Sequence, residues 1–273
     1  MTRLLKIEWE KIRNYKAFWV IVVVYLIVLF GSAIGLPALF EYMADQTNAS
    51  LMMRLFARLM LSFPDIWQNI AFFGGLRIFI KVLLAMLVLI LISNEFTFLT
   101  VRANIINGLS RNQFLTGKLS LILVLSLFST FALFIAGLYL GIANSSTLTA
   151  ANVFSKLYYL PAHFIELFSY MVFAMMIGIL IRKTGFAIIT LISYIMIEPI
   201  IQYYTPDHLD QYLPLNAMNH LVWSVNTSQL VFKTPDFNIP LQQSVSPTDV
   251  LACLLYTAIF IGVIWFYLKK KDL

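Results

Sequence analysis

The chain has 273 residues, 60% of them hydrophobic and 12% charged, with a mean hydropathy of +0.84. An ordinary soluble domain carries roughly 25% charged residues, so this composition excludes one and points to a protein of the lipid bilayer. The net charge of +6 follows the pattern of a membrane-orientation signal rather than a nucleic-acid patch, and a single cysteine, Cys253, excludes an intrachain disulfide and a cysteine-built zinc site.

The first 17 residues form the first element. Leu5, Trp9 and Ile12 recur at helical spacing, with Lys6, Glu10 and Arg13 on the other side. This predicts a helix lying on the inner membrane surface and leading into the first span; a plain charged anchor is the alternative. The stretch is too long and too mixed in charge for the leading part of a cleavable signal peptide.

A span needs about 20 mostly apolar residues. Six segments qualify: 18–39, 72–92, 119–143, 162–181, 186–204 and 250–268. With the amino terminus inside, Lys and Arg in the inner pieces are Arg3, Lys6, Lys11, Arg13, Lys16, Arg102, Arg111, Lys118, Arg182, Lys183, Lys269, Lys270 and Lys271. The outer pieces carry only Arg54, Arg58, Lys156 and Lys233. The positive-inside rule therefore predicts an all-α integral membrane protein with six transmembrane helices and both termini cytoplasmic.

Two outer segments exceed plain connectors. Residues 40–71 contain the run Phe63-Pro64-Asp65-Ile66-Trp67-Gln68-Asn69, and residues 205–249 contain five prolines. Within the latter, 213–225 is too short to span and too apolar to be solvated, which predicts an outer re-entrant or interfacial element. Pro199, next to Glu198, is expected to break or bend the fifth span near its outer end.

Ionisable residues inside spans are the candidate pathway residues. Arg77 and Lys81, spaced i and i+4, either snorkel to the outer interface or line a polar path. His163 and Glu166 share one helical face and read either as a proton or metal site or as a polar contact between helices. Glu198 either faces a cavity or pairs with Arg77 or Lys81. Cys253 has apolar neighbours and reads as a small buried hydrophobe.

Catalytic and nucleotide motifs fail on spacing. Gly117-Lys118 ends like a phosphate loop, but position 112 is Asn where the loop needs Gly, and position 119 is Leu where it needs Ser or Thr. This predicts no ATP site, no cofactor and no metal in the chain. His-Glu-x-x-His and Gly-x-Ser-x-Gly are also absent from the sequence.

The most informative stretch lies between the second and third spans. It carries Asn94-Glu95-Phe96-Thr97 through Arg102, then Gly108-Leu109-Ser110-Arg111, then Gly117-Lys118-Leu119. With six spans and a leading amphipathic helix, this progression resembles an ABC-2 type permease, the membrane subunit of an ABC transporter. The family's Gly before Thr is Phe here, and its Pro before Ser-Arg is replaced by Gly108-Leu109. The resemblance implies one permease domain over residues 1–273, with a coupling segment at 94–118 that docks on a separate ATP-binding subunit. Glu95, Arg102, Arg111 and Lys118 would make or brace that contact. Residues 205–249 would form the extracellular gate, and a second permease copy, identical or related, would complete the pathway in the plasma (inner) membrane. ATP and Mg would be bound by the partner ATPase, no nucleic acid is implied, and the chain would not itself be an enzyme. The resemblance also implies export of a hydrophobic or amphipathic cargo. Two further readings remain: an ATP-independent channel or scaffold, and an intramembrane enzyme using His163, Glu166, His208 or His220.

Overall fold

The fold was read from a computed structural model that describes residues 2–46, 58, 60–73, 77–206, 209–224 and 242–270. Every regular element among the described residues is helical. In chain order these are α1 (Thr2–Arg13), α2 (Lys16–Gln46), α3 (Ile66–Phe73), α4 (Arg77–Thr97), α5 (Thr100–Ile106), α6 (Arg111–Asn144), α7 (Ala150–Phe154), α8 (Tyr159–Ile181), α9 (Thr184–Tyr204), α10 (Pro214–Asn219) and α11 (Pro247–Lys270). Short 3₁₀ turns at Asp210–Tyr212 and His220–Val222 flank α10.

Five stretches are long and apolar enough to cross a membrane: Ile78–Thr97, Arg111–Asn144, Ala150–Ile181, Thr184–Tyr204 and Pro247–Lys270. A sixth arises if Arg3–Arg13 and Lys16–Ser32, which meet at 90°, count as one broken span. The right angle is the geometry expected of a surface helix turning into a span. Trp9 on the apolar face is half exposed, while Ile12 and the charged Glu8 are buried against the bundle. The reason is that α1 lies across α6 at Gly117, where an added Cβ would stand 3.9 Å from Leu4 and Glu8.

The bundle is built around α8, which packs on α4, α6 and α11. Its sequence is apolar on every side, as a helix surrounded by others requires. Where lipid is as apolar as Leu, helices associate by close packing and small residues allow it. Gly178 of α8 admits Leu89 of α4, whose Cδ2 would sit 3.1 Å from an added Cβ. On α6, rings take the space a side chain would need: Trp67 Cζ3 would lie 2.8 Å from a Cβ at Gly137, and Phe63 Cζ 2.4 Å from one at Gly141.

Two spans begin at positions well away from the sequence expectation. The second span begins at Arg77 rather than 72, because Ile66–Phe73 closes as a separate buried helix, α3. The third begins at Arg111, eight residues early, because Ser110 and Gln113 form a reciprocal capping box that starts α6 there. The fifth span ends at Tyr204 as expected, and its helix continues through Pro199 without a break. Within a bundle, neighbouring groups re-satisfy the carbonyl that a proline leaves free.

Candidate functional site

Both ends of the chain and α5 gather at one end of the bundle, and the charges predicted for coupling converge there. Thr97 ends α4, Leu99 adopts a left-handed conformation (φ 57°), and α5 follows at once. Gly108 at φ 93° then turns the chain into α6, a conformation that glycine adopts freely. The segment 94–118 is thus the last turn of α4, the short helix α5 and the first two turns of α6.

Glu95 and Lys118 do not face solvent. Lys118 Nζ is 2.7 Å from Glu95 Oε1 and 2.6 Å from Glu8 Oε2. Lys11 Nζ lies 2.8 Å from Glu95 Oε1 and 3.1 Å from Glu8 Oε1. Two carboxylates and two ammonium groups from α1, α4 and α6 therefore form one neutral cluster, with Lys118 only 1% exposed. Burial pushes the Glu8 carboxyl up, but Lys118 and Lys11 outweigh it and hold it below its ordinary value of 4.5. Burial likewise works against the Lys11 ammonium, and Glu95 and Glu8 outweigh it, raising it above 10.5. A buried pair of this kind is fragile to single substitution, since removing one partner leaves a charge uncompensated.

The other two predicted residues behave differently. Arg111 donates from one guanidinium nitrogen to the Leu268 and Lys269 carbonyls at 2.6 and 2.7 Å, closing the C-terminal end of α11. A cation there also complements the helix dipole. Arg102 lies on the exposed side of α5, near the exposed apolar side chains of Phe98, Leu99 and Ile106. Behind α5, Arg182 sits between the Phe96 and Tyr267 rings, 5.2 and 5.3 Å from their centroids. Asn94 donates to the Tyr15 hydroxyl at 3.0 Å and accepts from Thr184 at 3.3 Å. The base of α5 is therefore tied to α1, α6, α9 and α11, while its outer face stays open.

The intramembrane candidates collect toward the opposite end. Lys81 on α4 forms a buried ion pair with Glu166 on α8 and donates to Asn219 of α10 at 2.7 Å. Glu166 thus pairs across helices with Lys81, and His163, one turn earlier on α8, is also buried. Glu198 on α9 accepts from the Asn216 backbone N–H at 2.6 Å, so its partner is the start of α10 and not Lys81. Lys81, Glu198, Asn216 and Asn219 line a shared cavity of about 90 Å³. The side chain of Arg77 lies outside the described residues, as does His208. Cys253 is buried, as expected, beside Ser169 at 3.1 Å. Among the described residues, no three His, Cys, Asp or Glu side chains gather in a way that could hold a metal ion.

Sequence reasoning missed a second network at this end. Gln68 on α3 donates to the Ser224 and Gln242 carbonyls, both at 2.9 Å. Gln242 in turn accepts from the Trp223 N–H and donates to the Leu221 carbonyl, each at 2.9 Å. Trp67 stacks on Phe134 and donates to the Val153 carbonyl at 2.6 Å. The available signal was the polar Asp65, Gln68 and Asn69 set into the apolar run 61–73. The four-charge cluster also had a signal, in Glu8 and Lys11 at i, i+3, but nothing in the sequence joined them to Glu95.

Comparison of the chain with protein-family models gives no match, and comparison with curated proteins gives no significant match.

Proposed function

We propose that this chain is the membrane-spanning permease subunit of an ABC transporter, driven by a separate ATP-binding subunit and exporting a hydrophobic or amphipathic cargo. The observation that carries the reading is the mounting of α5. The short helix α5, with Ile106 exposed on it and Phe98 and Leu99 exposed in the turn before it, stands on a base cross-tied by Glu8, Lys11, Glu95 and Lys118. An exposed apolar face away from the long spans suits a protein partner. A rigid base suits force transmission, because an ATPase biases the spans only through an element whose position both bodies sense.

On this reading Arg102 and the exposed apolar residues of α5 touch the ATPase. Glu95, Lys118 and Arg111 brace the contact from inside. The end carrying both termini is cytoplasmic, in the plasma (inner) membrane, and residues 205–249 form the opposite gate. The faces of α9 and α11, which bury little within one chain, suit lipid and a second permease copy. ATP and Mg belong to the partner, and this chain performs no chemistry of its own.

The test is co-purification of the tagged chain with a phosphate-loop ATPase subunit from its own cells, followed by ATP hydrolysis in lipid nanodiscs. Ile106→Asp is expected to lose the complex while thermal stability stays within about 0.5 kcal/mol, as for an exposed site. A stable chain that binds no ATPase would move the assignment to an ATP-independent channel or scaffold.

A further inference from the structure

At the elbow between α1 and α2 lies a cavity of about 300 Å³, lined by residues of α1, α4, α5 and α6. That is near the lower limit of small-molecule sites, roughly 300–1,000 Å³. Its wall includes the four-charge cluster, whose hydrogen bonding is incomplete on this side. Glu95 Oε1 receives both ammonium groups, whereas Glu95 Oε2 is buried with no hydrogen-bond partner among the described residues. Asn104 Nδ2, also on the cavity wall, is likewise buried and unpartnered among the described residues. A buried acceptor and a buried donor without partners, on two residues that line one cavity, would be satisfied by a ligand that carries both a donor and an acceptor and reaches behind the wall.

The surroundings indicate which ligand. The open acceptor is a carboxylate oxygen, which favours a cation with N–H groups. The open donor lies on the same wall as Lys11, whose side chain is 30% exposed, and this pairing favours an anion. Ile12, Leu91 and Tyr15 supply apolar lining on the side of the spans. Trp9 and Trp19 meet edge to face beside the elbow and are both exposed, 50% and 44%. Tryptophans gather at the headgroup level of a bilayer. The tryptophan pair beside the elbow fits a headgroup level for the cavity.

We propose that this cavity binds the headgroup of a phosphatidylethanolamine-type lipid. Its primary ammonium donates to Glu95 Oε2, its phosphate accepts from Asn104 Nδ2 and Lys11, and its glycerol and first methylenes lie along Leu91 and Ile12. Such a lipid would fix α1 against the base of α5, whether or not an ATPase docks there.

The experiment uses the full chain, stripped of native lipid in detergent and then offered phosphatidylethanolamine, phosphatidylcholine, phosphatidylglycerol or soluble glycerophosphoethanolamine. Bound lipid is counted by native mass spectrometry. Phosphatidylethanolamine is expected to be retained about ten-fold more than phosphatidylcholine, which has the same phosphate and no N–H, because a charge-assisted hydrogen bond is lost. Glu95→Gln is expected to shrink that preference. If it fails to fold, Asn104→Leu, which touches none of the ion pairs, is expected to weaken retention of both zwitterionic lipids. Equal retention of ethanolamine and choline lipids overturns the proposal, as does stronger retention of phosphatidylglycerol. Binding of the soluble headgroup as tightly as the lipid would also overturn it. So would lipid retention that Asn104→Leu leaves unchanged while ATPase binding falls, since the cavity would then take a partner's side chain.

Discussion

The two ends of the bundle are held by different chemistry. At the end carrying both termini, helix ends are joined by full charges: Glu8, Lys11, Glu95 and Lys118, with Arg111 closing α11. At the other end, beside separate ion pairs such as Lys156–Asp65, short helices and turns are joined largely by neutral amides donating to carbonyls, as Gln68 and Gln242 do. Charges act at a distance and tolerate small shifts between rigid helices. Amide-to-carbonyl bonds are directional and hold irregular backbone in one register, which non-helical chain inside a bundle needs. The first arrangement suits the ends of rigid helices, and the second suits irregular backbone that must stay satisfied.

The buried pair Lys81–Glu166 crosses this division, being a full charge pair set near the amide end. Lys81→Met is expected to have the largest effect, about 3–5 kcal/mol of destabilisation, because Glu166 would stay buried after losing the Lys81 ammonium. Lys81→Met with Glu166→Leu should recover most of that loss, as read by thermal unfolding in detergent. A single variant as stable as the parent would mean that water reaches Glu166 and that the pair is not structural.

At the amide end, Gln68→Leu should cost about 1–3 kcal/mol, since it leaves the Ser224 and Gln242 carbonyls without that donor. The loss should appear as faster proteolysis within residues 205–249, with the α1 cluster unaffected. Equal loosening at both ends would erase the distinction between them.

The smallest effect expected is a pH window confined to α1. Glu8 sits below 4.5 in the folded chain, so its contribution is complete above that value and is lost as pH falls through the lowered one. Lys11 sits above 10.5, so its contribution is complete below that value and is lost as pH rises through the raised one. The protection factors of the α1 amides, taken relative to their intrinsic exchange rates, should therefore be high and flat between these limits and fall outside them. Protection that changes midway between them would assign the anchoring of α1 to some other group.

Much of the architecture was legible in the sequence because bilayer thickness and backbone hydrogen bonding leave few solutions. Long apolar runs become helices, and the five clear spans overlap the predicted ones. The amphipathic pattern of residues 1–17 anticipated a helix that turns a right angle into α2. The candidate site was legible only as a list. Glu95 and Lys118 stood out by resemblance, yet whether they meet a partner or lie inside depends on Glu8 and Lys11, more than 80 positions away from Glu95.

Sequence periodicity reports which face of a helix is apolar, not which neighbour it meets. Composition and span length determined by themselves that this is a helical membrane protein with a polar segment between its second and third long apolar runs. Tertiary structure alone decided that Glu166 pairs with Lys81 and that the helix Ile66–Phe73 is buried. It alone placed Glu95 in a four-charge cluster with one oxygen left open. Each of these depends on contacts between distant residues, and pairing across distance is set by how whole helices pack.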